Sequence, residues 1–126
     1  RYFIVGDELD EVEGKVDKTR ILIFDLLDLD NPVLSSEYFG PTEAIDHNGY
    51  VKENTYYQAN YTAGVRMIDI TDVSNKNLNE IAFFDTHPEN NNTSFQGAWN
   101  VYPYFTSNVI VVSDIERGLF LVKKSE

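Results

Sequence analysis

The chain has 126 residues, 42% of them hydrophobic and 13% aromatic, a length that ordinarily means one domain and a composition too apolar for a disordered tail. Its 10 basic and 21 acidic residues give a net charge of −11, which disfavours general binding to nucleic-acid backbones and electrostatic adsorption to anionic lipid. Cysteine is absent, so a disulfide framework and thiolate metal sites are excluded.

Internal repetition governs how the elements are read. Phe24-Asp25-Leu26-Leu27-Asp28-Leu29-Asp30-Asn31 aligns with Ile68-Asp69-Ile70-Thr71-Asp72-Val73-Ser74-Asn75. Tyr57-Gln58-Ala59-Asn60 with Gly64 four residues on aligns with Val111-Val112-Ser113-Asp114 and Gly118. Ile4-Val5-Gly6-Asp7 takes the same place one unit earlier. The repeat is about 53 residues, and the chain holds about 2.4 units of it.

The first unit, residues 1–40, is incomplete and opens in its second strand. An acidic insertion follows at residues 8–18, with Glu8, Asp10, Glu11, Glu13 and Asp17 against Lys15 and Lys18; a solvated loop is the preferred reading, weak calcium binding the next. Ile21-Leu22-Ile23-Phe24 forms the third strand. The second unit, residues 41–94, is complete, with strands expected at 44–52, 55–61, 65–70 and 79–85 and turns at 53–54, 60–64 and 71–75. The third unit, residues 95–126, stops after its third strand, with Val109 to Val112 and Leu119 to Val122 as its apolar runs. No window has a helical apolar period, and the apolar runs are far too short for a spanning helix.

Strands that are apolar on consecutive positions are buried on both faces. Four short antiparallel strands per unit, stacked face to face, describe an all-β, propeller-like repeat rather than a two-sheet sandwich. Propellers close with about four to eight blades, so the chain is expected to belong to a larger propeller or to pack with copies of itself. Arg1 at the start and Met67 as the sole methionine lead to the expectation of a processed product or fragment, with any signal or anchor outside the sequence.

Long motifs also carry a resemblance. Asp46-His47-Asn48-Gly49-Tyr50-Val51-Lys52, Tyr57-Gln58-Ala59-Asn60-Tyr61-Thr62-Ala63-Gly64, Ala82-Phe83-Phe84-Asp85-Thr86, Gly97-Ala98-Trp99-Asn100-Val101-Tyr102-Pro103 and Ser113-Asp114-Ile115-Glu116-Arg117-Gly118-Leu119-Phe120 resemble the choice-of-anchor B family. These are surface or secreted proteins built on LVIVD-type repeats. The resemblance spans nearly the whole chain and matches the C-terminal part of such a repeat region. It implies a propeller-like fold, export, an extracellular or cell-surface location and no known catalytic activity. Lys123-Lys124-Ser125-Glu126 holds no recognisable anchor.

Candidate sites are weighed against structural roles. Asp25, Asp28, Asp30 and Asn31, like Asp69, Asp72 and Asn75, offer calcium-type oxygens at short spacing but lack the glycine-centred loop, so Asx-turns are preferred. Asp7, Asn60 and Asp114 end equivalent strands and would form a partial ring for a hard cation, calcium above all, although turn-building is preferred. His47 beside Asp46 suits a general base or a metal ligand, but His87 lies 40 residues away and supplies no ligand pair. Asn60, Asn91 and Asn92 begin N-glycosylation triplets. Trp99, Tyr102, Tyr104 and Phe105, with Tyr50, Tyr56, Tyr57 and Tyr61, serve either as wedge filling between sheets or as a stacking surface for carbohydrate.

The leading functional expectation is a non-enzymatic extracellular binding or scaffolding module, with carbohydrate or a surface protein as partner. His47, Asn48, Asn60, Tyr61, Trp99, Tyr102 and Glu116 are its candidate contact residues. One alternative is a calcium-stabilised structural protein of a cell envelope or matrix. The other is an enzyme working through a propeller channel with His47, Asp46, Asp114 and Glu116.

Overall fold

The computed structural model describes residues 1–125 and contains three antiparallel sheets. The first holds β1 (Tyr2–Gly6), β2 (Arg20–Asp25) and β3 (Val33–Phe39) in that spatial order. The second holds β4 (Asn48–Lys52), β5 (Thr55–Ala59), β6 (Val65–Asp72) and β7 (Asn77–Phe84), each pairing with the next. The third holds β8 (Ala98–Tyr102), β9 (Ile110–Asp114) and β10 (Gly118–Val122). The only helical element among the described residues is a 3-10 turn at Val73–Asn75, and no helix there is long and apolar enough to cross a membrane.

The second sheet carries a core on each face, centred on β5 and β6. Ile21 and Ile23 of β2 pack on Tyr56 and Ile68, while Ala59, Val65 and Met67 pack on Ala98, Val101, Ile110 and Val112 of the third sheet. Alternate residues of a strand point to opposite faces, so Ile68 serves one interface and Met67 the other. That is why Val65, Arg66, Met67 and Ile68 are all buried in succession.

The outer sheets differ. Their apolar runs led to the expectation of cover on both faces, yet each has one face against the middle sheet and the other turned outward. On β1 to β3 the outward set, read from the strand register, is Phe3, Val5, Leu22, Phe24 and Leu34, with Phe3 53% and Leu34 48% exposed. On β8 to β10 it includes Tyr102, Val111, Leu119 and Leu121, with Leu119 65% and Leu121 66% exposed. The three sheets form an open stack.

The strand boundaries of the middle sheet follow the sequence to within two residues, with one larger displacement. The first strand of the middle sheet begins at Asn48, not at residue 44, because Ala44, Ile45 and Asp46 are spent on burial between sheets. There the Ala44 carbonyl accepts the Thr19 hydroxyl, and only from His47 N, bonded to Ala59 O at 3.0 Å, does cross-strand bonding begin. The repeat is visible in the turns. Gly64 and Gly118 both have positive φ, 72° and 82°, where glycine is unstrained. Asp25 and Asp69 each accept the amide two residues on, from Leu27 at 2.9 Å and Thr71 at 2.8 Å. Asn31 and Asn75 donate to Asp28 and Asp72. These aspartates close Asx-turns, as expected. Their hydrogen bonds hold the Asp28 and Asp69 carboxyls below the usual range.

Candidate functional site

Chemistry-bearing side chains gather where β1 ends, β4 begins and the turn after β5 lies. His47 Nδ1 stands 2.7 Å from Glu8 Oε1, and the Tyr61 hydroxyl donates to the same oxygen. Burial, then the hydrogen bond to Glu8, raises the Tyr61 phenol above its ordinary value, so Tyr61 serves as a donor rather than a base. The His47 ring lies 5.3 Å from Tyr61 and 6.0 Å from Trp99 between centroids, and Phe95 meets Tyr61 edge-on at 5.4 Å.

Trp99 owes its position to a bulge in β8. Ala98 pairs with Asp114 and Asn100 with Ser113, leaving Trp99 without an opposite residue. A bulge re-aims side chains, and here Trp99 and Asn100 both border one open cleft of about 430 Å³ with His47, Asn48 and Ser113. Trp99 remains 53% exposed. An aromatic platform ringed by an imidazole, two amides and a hydroxyl offers a stacking face with donors and acceptors around it.

Asp46 and His47 diverge. His47 turns to Glu8 and the cleft, whereas Asp46 is 2% exposed and joins Asp10 and Glu11. A Cβ added at Gly6 would lie 1.2 Å from Asp46 Oδ2, so Asp46 occupies the space that any side chain there would take. The acidic insertion is therefore not simply a solvated loop. It folds as a tight turn, with Asp10 N bonded to Asp7 O at 3.0 Å and Lys15 N to Asp10 O at 2.8 Å. Asp10 is 0% and Glu11 6% exposed. Arg20 holds both, Nε donating to Asp10 Oδ2 at 2.8 Å and its backbone N to Glu11 Oε1 at 3.1 Å. Burial, then the neighbouring Asp10 carboxyl, pushes the Glu11 carboxyl up to about 8. Burial, then the Asp10 charge, pushes Asp46 up to about 7.

The remaining candidates lie elsewhere. Asp114 Oδ1 accepts the amides of Glu116 at 3.0 Å and Arg117 at 2.8 Å, and Glu116 accepts Gly97 N at 2.9 Å; both are turn fasteners. Asp7 accepts Leu9 N at 3.4 Å. Asn60 Nδ2 donates to Thr19 Oγ1 at 2.8 Å, and the residue is buried, which leaves no room for a glycan on the folded chain. Asn91 is half-buried and Asn92 exposed. Tyr102 forms a separate aromatic group with Tyr104 and Phe105, at 5.5 and 5.2 Å, away from the Trp99 cleft. His87 is buried and takes no part.

Sequence reasoning missed Glu8 as the partner of His47 and Tyr61, and Asp10 with Glu11 as buried groups. No family model, curated protein or solved structure matches this chain. Its functional reading therefore rests on its own geometry.

Proposed function

We propose that the chain is part of a larger, extracellular β-propeller-like protein of the choice-of-anchor B type, serving as a non-enzymatic binding module. Support for the architecture comes from the two outward faces, which are apolar in the manner of sheets that lie between neighbours. Further sheets of the same kind, from the same polypeptide or from copies, cover them.

The observation that carries the binding reading is Trp99. It is the sole tryptophan, half-exposed on a bulge, and it faces His47 across a cleft bordered by Asn48, Asn100 and Ser113. The enzyme alternative needs Asp46, Asp114 and Glu116 to work with His47, whereas Asp46 groups with Asp10 and Glu11 and the other two bond turn amides. The ligand class that fits is a carbohydrate, whose ring stacks on the indole while its hydroxyls reach the amides and the serine.

Trp99 makes the test direct, since it alone carries the tryptophan fluorescence. Titration with a panel of surface glycans is expected to shift that emission, and Trp99→Ala to weaken binding on a glycan array about tenfold or more, the loss expected for a hot-spot aromatic. A panel that leaves the emission unmoved and the array blank would sink the carbohydrate reading and leave a protein as the partner.

A further inference from the structure

Two segments meet around Asp10, Glu11 and Asp46. Asp10 and Glu11 come from the turn that leaves the first sheet after β1, and Asp46 from the segment that leads into β4 of the second. One oxygen from each lies within 4.8 Å of the others. All three residues are more than nine-tenths buried, at 0%, 6% and 2% exposure.

Burial alone would favour the neutral acids, and carboxylates hidden from water ordinarily have partners on every oxygen. Here Asp10 Oδ1, Glu11 Oε2 and Asp46 Oδ1 have none among the described residues. Arg20 occupies the other oxygens of Asp10 and Glu11, so it fixes their orientation and leaves one acceptor free on each. Arg20 is also shared with Glu37 at 3.2 Å. One guanidinium does not balance the carboxylates it touches, and the Asp46 contribution is added from another segment with a free oxygen of its own. Three clustered, buried carboxyls, each with an oxygen left without a partner, are what a cation that displaces their protons requires.

We propose that Asp10, Glu11 and Asp46 form a binding site for a hard divalent cation, calcium in the first instance, that joins the first sheet to the second. The donor set is oxygen only, which selects calcium, magnesium or manganese over softer metals. Metal–oxygen distances of roughly 2.3–2.6 Å place a calcium ion comfortably among oxygens no more than 4.8 Å apart. Three carboxylates leave coordination positions for water or backbone oxygens, which calcium fills flexibly and magnesium does not. The site is separate from the Trp99 cleft and does not rest on the carbohydrate reading.

The test is a thermal melt of chelator-stripped, dialysed chain with calcium, magnesium or manganese added singly. Saturating calcium is expected to raise Tm by on the order of 5–10 °C, the shift for a ligand that binds only the folded state, with a smaller effect of magnesium. Asp46→Asn and Glu11→Gln keep the shape while removing charge, and each is expected to abolish most of the shift. A second readout needs no variant: terbium luminescence, excited through nearby tyrosine, is expected to appear on the native chain and to be displaced by calcium. The proposal is overturned if none of the three cations moves Tm and terbium does not bind, or if Asp46→Asn and Glu11→Gln both respond to calcium as the unaltered chain does. These readouts do not involve Trp99, so failure here and failure of the cleft are told apart.

Discussion

Gly6 occupies the place that the later units fill with Ala59 and Ser113, and Asp46 is the reason. The Asp46 carboxylate lies where a Cβ would go, 1.2 Å from it, and the Gly6 backbone conformation itself lies outside the glycine-only region. The demand is thus for space rather than for unusual φ. Gly6→Ala is expected to destabilise the chain by about 1–3 kcal/mol, the usual range for forcing extra volume into packed surroundings, as measured by urea denaturation. An unchanged midpoint would mean that Asp46 moves aside freely. This contact was not legible in the sequence, because nothing local ties residue 6 to residue 46. The Asx residues were legible, since Asp25, Asp28, Asp69 and Asp72 act on their own backbone within a few positions and repeat at one spacing.

At the scale of elements, the turn over residues 7–18 shows where composition misleads. Its carboxylates read as a solvated face, yet the turn hydrogen bonds curl it back so that Asp10 and Glu11 face inward while Glu13 stays outside. The only hint was Arg20, a cation at the end of an acidic run. A stability consequence follows from the raised carboxyls. Glu11 moves from 4.5 to about 8 and Asp46 from 3.8 to about 7, so the folded state keeps protons that the unfolded chain has released. That contribution is fully present below the ordinary values and is lost as pH rises through about 7–8. In the presence of chelator, the urea midpoint is therefore expected to fall between about pH 5 and about pH 9, and Asp46→Asn to flatten the fall. A midpoint that climbs across that window contradicts the burial of these groups as acids.

The strands themselves were the most legible elements. Turn residues such as Glu53-Asn54 and the segment from Asn60 to Gly64 bracket them, and apolar runs mark their interiors. What escaped was irregularity. The bulge that frees Trp99 depends on the pairing of Ala98 and Asn100 with β9, which is a property of two strands and not of one. The buried lead-in at Ala44 to Asp46 looked like strand because its apolar residues are set by the space between sheets rather than by a ladder.

For the whole molecule, the central fact is asymmetry between the middle sheet and its neighbours. The inner strands β5 and β6 of the middle sheet carry core residues on both faces, while each outer sheet shows solvent a face that its sequence makes apolar. Burial contributes roughly 25 cal/mol per Å² of apolar surface, so two such faces favour association wherever a matching surface is present. The edge strands point the same way: among the described residues β1 lacks a neighbour on one side and β10 on the other, and unpaired edges recruit further strands. The length that ordinarily means one domain is here spread over three sheets that form an open stack.

The most direct measurement is the native mass of the 126-residue chain by sedimentation velocity, alone and with Leu119→Lys and Leu121→Lys combined. The unaltered chain is expected to form a particle well above 14.5 kDa, reduced toward that mass by the two lysines on the outward face of β10. A stable 14.5 kDa monomer that binds no hydrophobic dye would contradict it, because the outward faces would then need no cover.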